Sequence, residues 1–133
     1  MDAAWRDARA RGWSRRPVVE MLIPSLLDPS LAPPGQHVAS LFCQHFAPEL
    51  PEEQAWETGR DAAAQTVIEK VTEYAPNFAD SILGMCILTP ANLEQEFGLI
   101  GGDIFHGALG LDQLFSARPL LGQADYRGAL PGL

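Results

Sequence analysis

A chain of 133 residues, 47% hydrophobic and 20% charged, is long enough for one domain and too apolar to remain disordered. Its formal net charge of −8 repels phosphate backbones, which argues against nucleic-acid binding. No apolar run approaches the ~20 residues of a membrane helix and no signal peptide is visible, so the cytoplasm is the default compartment.

In chain order, the alanine- and arginine-rich stretch 1–13 reads as a helix ended by Gly12. Five arginines lie within the first sixteen positions of the chain, but Asp2 and Asp7 interrupt them, which fits an amphipathic helix better than a targeting signal. Pro17 opens an apolar, β-branched run, Val18 to Ile23, expected to be a strand that stops at Pro24. Asp28-Pro29 and Pro33-Pro34-Gly35 then mark turns. His37 to Phe46 alternates with apolar residues on both faces and reads as a central strand covered on each side. The longest helix begins between Trp56 and Arg60, carries the stripe Ala64, Val67, Ile68, Val71 and Tyr74, and ends before Pro76. A third strand is expected across Ile82 to Leu88. Thr89-Pro90 opens a short helix with Leu93 and Phe97 inward and Gly98 as a left-handed terminator.

The fold class is therefore α+β. A small mixed or antiparallel sheet of 18–23, 37–46 and 82–88 carries the long helix on one face. A partial domain is expected, with an N-terminal helix at 1–13, an α/β core at 14–100 and a glycine-rich, irregular tail at 101–133.

Few motifs carry chemistry. Cys43 and Cys86 sit apart in apolar runs and read as buried, reduced thiols. His37, Cys43 and His45 fall on one face of the second expected strand. His37 would then lie more than roughly 20 Å from His45 at about 3.3 Å per residue. A closed zinc site would need Cys86 or His106 as well, so no metal is expected. No Gly-x-Ser-x-Gly elbow, P-loop or G-x-G-x-x-G occurs. Gly101-Gly102 follows a helix rather than a strand, which is the wrong order for a dinucleotide turn. On the residues alone, 101–118 is best read as a loop packing Ile104, Phe105, Leu109, Leu111, Leu114 and Phe115 against the sheet.

Across the chain, Arg16-Pro17, Glu20-Met21, Ile23-Pro24-Ser25, Leu31 to Gly35, Tyr74-Ala75-Pro76, Leu88-Thr89-Pro90, the Gly101 to Pro119 run and Pro131-Gly132-Leu133 occur in a shared order. From about Ser14 to Leu133 the sequence resembles phytoene-desaturase-like FAD-dependent oxidoreductases. That group includes carotenoid desaturases and isomerases, retinol-saturase-like proteins and the pyridine nucleotide-disulfide oxidoreductase domain-containing protein 2 type. The resemblance implies the substrate-domain portion of a flavin amine-oxidase-like fold, cut from a larger protein either as a split subunit or as a truncation. It implies FAD in the complete enzyme and none on this chain alone, with oxidation or desaturation of an apolar substrate as the parent chemistry. Gly101, Gly102, Ile104, Phe105 and His106 become candidates to face the flavin or the substrate, with no catalytic residue assigned. His106 alone among them has acid–base capacity. The implied partner is a chain carrying a Rossmann half, or a second copy through the 101–133 tail. The rival reading is a non-catalytic α/β module for self-association or protein binding.

Overall fold

The computed structural model describes residues 1–51, 54–105, 110–124 and 130. Contacts divide the chain into two units, Met1–Gly102 and Asp103–Leu133. The fold is α+β: among the described residues there are three helices and one two-stranded antiparallel sheet, all in the first unit.

Helix α1 (Asp2–Arg11) places Asp2 in its first turn and Arg9 and Arg11 in its last, in line with the helix dipole. Asp2 pairs with Arg6 one turn on. Gly12 ends it at φ 93°, and the Gly12 N–H returns to the Ala8 carbonyl at 2.8 Å. A Cβ there would sit 2.5 Å from Leu50 Cδ2, so glycine is required by conformation and by space together.

Strand β1 (Trp13–Leu22) follows at once and pairs with β2 (Ser40–Phe46), from Leu22 opposite Ser40 to Val18 opposite Gln44. The register then breaks. Trp13 lies opposite Phe46, so four residues of β1 face the single residue His45. Pro17, which has no N–H for a ladder, sits in this bulge and is buried, as is Ser14 at 1% exposure. His45 answers with φ 70°, a left-handed conformation open to histidine at some strain. The apolar, β-branched run placed the first strand from Val18, and alternation placed the second from His37. The bulge extends the first strand back to Trp13, while His37 lies outside the second.

Helix α2 (Trp56–Thr72) packs on β1, as does α1. Its buried residues are Trp56, Ala63 and Val67, which share Val67 with the expected stripe but are centred roughly a sixth of a turn from it at about 100° per residue. Ala64, Ile68 and Val71 are only half-buried, and Tyr74 lies beyond the helix, 79% exposed. The rotation follows from the small side of the helix: a Cβ on Gly59 would lie 3.0 Å from Leu50 Cδ1 and 3.5 Å from the Trp13 ring. Trp56 is the keystone. Its ring tilts against Trp13 (5.9 Å between centroids) and Phe46 (6.4 Å), and its Nε1–H is shared between the carbonyls of Ala47 (3.0 Å) and Pro48 (3.1 Å).

Three expectations fail. Residues 82–88 form no strand: among the described residues they pair with neither β1 nor β2. The sheet is consequently a two-stranded ribbon rather than three strands, and β2 is not a central strand covered on both faces; Phe42 is 37% exposed. Nor does Phe97 of helix α3 (Pro90–Phe97) point inward, being 61% exposed.

The core is thin. Ala4, Ala8, Trp56, Ala63 and Val67 are the buried apolar side chains among the described residues.

Candidate functional site

The glycine pair proposed from sequence sits just beyond α3. Thr89 caps that helix in a reciprocal arrangement: its Oγ1 accepts the Asn92 N–H at 3.2 Å, and Asn92 Oδ1 accepts the Thr89 N–H at 3.1 Å. Proline occupies the first helical position and Gly98 closes the end at φ 69°, as the sequence indicates. A single tight turn, Ile100–Gly102, follows, with the Gly102 N–H on the Leu99 carbonyl at 2.8 Å and the Gly101 N–H on the Glu94 carboxylate at 3.2 Å.

Both glycines have positive φ, 64° at Gly101 and 67° at Gly102. A Cβ on Gly102 would lie 2.5 Å from Pro90 Cα and 2.7 Å from its carbonyl oxygen. The close backbone approach that glycine permits is therefore made to the first turn of α3. Gly101 lies near Pro48, its hypothetical Cβ 3.7 Å away.

In the second unit, Ile104 is 42% and Phe105 77% exposed, and the Phe105 N–H donates to the Asp103 carboxylate at 2.9 Å. His106 lies outside the described residues. Farther along, the short turns Leu111–Gln113 and Phe115–Ala117 leave Leu111 and Phe115 almost fully exposed.

Among the described residues the imidazoles and thiols do not converge. His37 precedes β2, its Nδ1 3.2 Å from Ser25 Oγ, which also accepts the Val38 N–H at 3.0 Å. Cys43 is half-buried, and burial pushes its thiol up to about 11, so it is protonated at neutral pH. Cys86 is exposed, contrary to the expectation of two buried thiols. Among the described residues no three His, Cys, Asp or Glu side chains are grouped to hold a metal ion.

One feature had no forewarning in the sequence. A depression of about 260 Å3 opens between α1 and the end of β2, lined by Trp5, Ala8, Arg9, His45, Phe46, Ala47 and Pro48. The Arg9 guanidinium lies over the Trp5 ring at 5.6 Å, and His45 Nε2 is buried without a partner among the described residues. Nothing in a strand-like run signals the left-handed turn of backbone that brings His45 here.

The described residues do not fit the pyrophosphate of a dinucleotide. That group needs a strand, a glycine-rich turn and then a helix N-terminus. Here β1 runs into the turn Pro24–Leu26, β2 is separated from α2 by residues 47–55, and the glycine pair follows a helix. No described helix is long and apolar enough to cross a membrane.

No family model and no solved structure matches the chain. Curated relatives do. The chain is 48% identical over 131 residues, 98% of its length, to pyridine nucleotide-disulfide oxidoreductase domain-containing protein 2 of Rattus norvegicus, and 47% identical over the same span to that of Mus musculus. It covers 22% of each relative. The chain is thus a homologue, along nearly its whole length, of about one fifth of proteins named for an oxidoreductase domain.

Proposed function

We propose that this chain is the substrate-domain portion of an FAD-dependent oxidoreductase of the phytoene-desaturase-like kind, acting on an apolar substrate by oxidation or desaturation. The observation that carries the reading is identity of 47–48% sustained over 98% of the chain with relatives named for an oxidoreductase domain. Flavin, held by the remaining part of such a protein, would supply the hydride chemistry. This chain's own described residues offer apolar surface and backbone, with no nucleophile set beside a base.

The candidates for facing substrate or flavin divide by chemistry. Ile104 and Phe105 present exposed apolar side chains. Gly101 and Gly102 offer backbone fixed by the turn after α3. His106 is the residue able to exchange a proton near neutral pH. The thin core supports the same reading, because a portion of a larger domain leaves apolar surface that its remainder would cover.

The test is flavin retention. The chain purified alone, mixed with FAD and freed of excess, is expected to be colourless. Co-expressed with the rat relative lacking its matched 131 residues, it is expected to give a yellow complex. A flavin spectrum retained by the chain alone, or a co-expressed pair that neither associates nor holds flavin, contradicts the proposal.

A further inference from the structure

We infer that residues 83–88 are a docking strand, which completes itself by backbone hydrogen bonding to a sheet edge on the polypeptide that carries the flavin-binding half. The inference rests on the reading above and names the surface through which the two parts join.

The run Ile82-Leu83-Gly84-Met85-Cys86-Ile87-Leu88 contains no charge, and no charged residue occurs between Asp80 and Glu94. A continuous apolar run of this length is the pattern of a strand buried on both faces. Yet Leu83 is 80% exposed, Met85 57% and Leu88 48%, and a Cβ on Gly84 would meet nothing within 4 Å. Both ends are in extended conformation, Ile82 at φ −74°, ψ 115° and Thr89 at φ −81°, ψ 166°.

The backbone is the decisive observation. The Ile82 N–H closes the preceding turn on the Ala79 carbonyl, and the Thr89 N–H is held by Asn92. Between them, no backbone N–H or C=O of residues 83–88 is hydrogen-bonded among the described residues. Native chains leave few such groups unpaired once they are buried, and the apolar side chains here call for burial.

What covers the segment must therefore bring donors and acceptors at strand spacing. A lipid surface offers none and would strand the backbone groups in hydrocarbon. A flat apolar protein face has the same defect. A sheet edge satisfies both the ladder and the alternating side chains. Two chains of net charge −8 repel one another. The relatives, by contrast, carry the other four-fifths of a protein around the matched stretch, and that remainder is the occupant to which we commit.

The segment's independence from the rest of its own fold makes a clean experiment. The 133-residue chain is co-expressed with the rat relative lacking the matched 131 residues, and amide hydrogen exchange is measured on the chain alone and on the complex. Residues 83–88 should exchange without protection in the free chain and roughly ten-fold or more slowly in the complex. Met85→Pro and Cys86→Pro each delete one ladder donor on opposite edges, and at least one should lower co-purified flavin roughly ten-fold. Neither should alter the melting of the chain alone.

A flavin-bearing complex in which 83–88 still exchange freely, or in which both proline variants bind as well as the parent, overturns the docking strand and leaves the functional reading standing. Earlier melting of both proline variants alone would show that the segment holds its own fold, and also overturns it. Protection that rises with the concentration of the chain alone assigns the strand to a second copy and removes the occupant proposed here. Failure of the parent chain to form any flavin complex removes the functional reading and this inference together.

Discussion

The apolar side chains of residues 12–67 and those of residues 82–88 have opposite fates. In the first region the apolar side chains find one another: Trp13, Phe46 and Trp56 meet around a ribbon whose backbone is paired, with α1 and α2 on β1. In the second, Leu83, Met85 and Leu88 are exposed on a backbone with no partners among the described residues. Hydrophobicity decides that a segment will be buried, and a strand partner decides where. The first region contains its partner in sequence, across the seventeen residues that separate β1 from β2, while the second has none among the described residues.

The sharpest way to break this contrast is to truncate a side chain in each region. Trp56→Ala removes a ring at 6% exposure and strands two carbonyls. It should cost roughly 3–5 kcal/mol, a large share of a marginal stability, and abolish cooperative unfolding in urea. Leu83→Ala should change the midpoint within about ±0.5 kcal/mol, the range of ordinary surface substitutions. Equal effects would erase the distinction.

Glycine substitutions test the turn after α3. Gly102→Ala meets Pro90 backbone at 2.5 Å as well as a positive φ, whereas Gly35→Ala at φ 80° meets nothing within 4 Å. The first should destabilise clearly more than the second, whose expected cost is about 1 kcal/mol from left-handed strain alone. Thr89→Ala, losing the buried cap of α3, should cost about 1–2 kcal/mol by thermal melting.

The thiols report on the same two regions without a stability change. Cys86 should react with a disulfide reagent at once at neutral pH. Cys43, half-buried and with its thiol pushed up to about 11, should react slowly until the protein unfolds. Two thiols reacting at one rate would contradict the burial of β2.

The smallest expected effect is in acid. Hydrogen bonds from the Arg15 side chain and then its backbone N–H hold the Asp7 carboxyl below its ordinary range. A depressed carboxylate contributes stability that is fully present above its unfolded value, about pH 4, and is lost as pH falls through the folded one. The gap in melting temperature between the parent and Asp7→Asn should therefore be present at pH 7 and close below about pH 4.

Local chemistry was readable in the sequence wherever one residue type sufficed. Gly12 ended α1, Thr89-Pro90 opened α3 and Gly98 closed it. Longer-range features were not. The bulge at 14–17 arises only when β1 meets β2, so no alternation within either strand foretold His45 at φ 70°. The position of the α2 face depended on Gly59 fitting against Leu50 and Trp13, contacts between residues far apart in the chain. Of the proposed site, the sequence singled out Gly101 and Gly102, but the tight packing of Gly102 on Pro90 needed the folded turn to be seen.

Amide hydrogen exchange along the chain alone tests most directly whether one region is complete and the other awaits a partner. The account predicts slow exchange at Ala63 and Val67, inside α2, and unfolded-chain rates throughout residues 83–88. Slow, concentration-independent exchange across 83–88 would mean that the chain already pairs its own strand, and would contradict it.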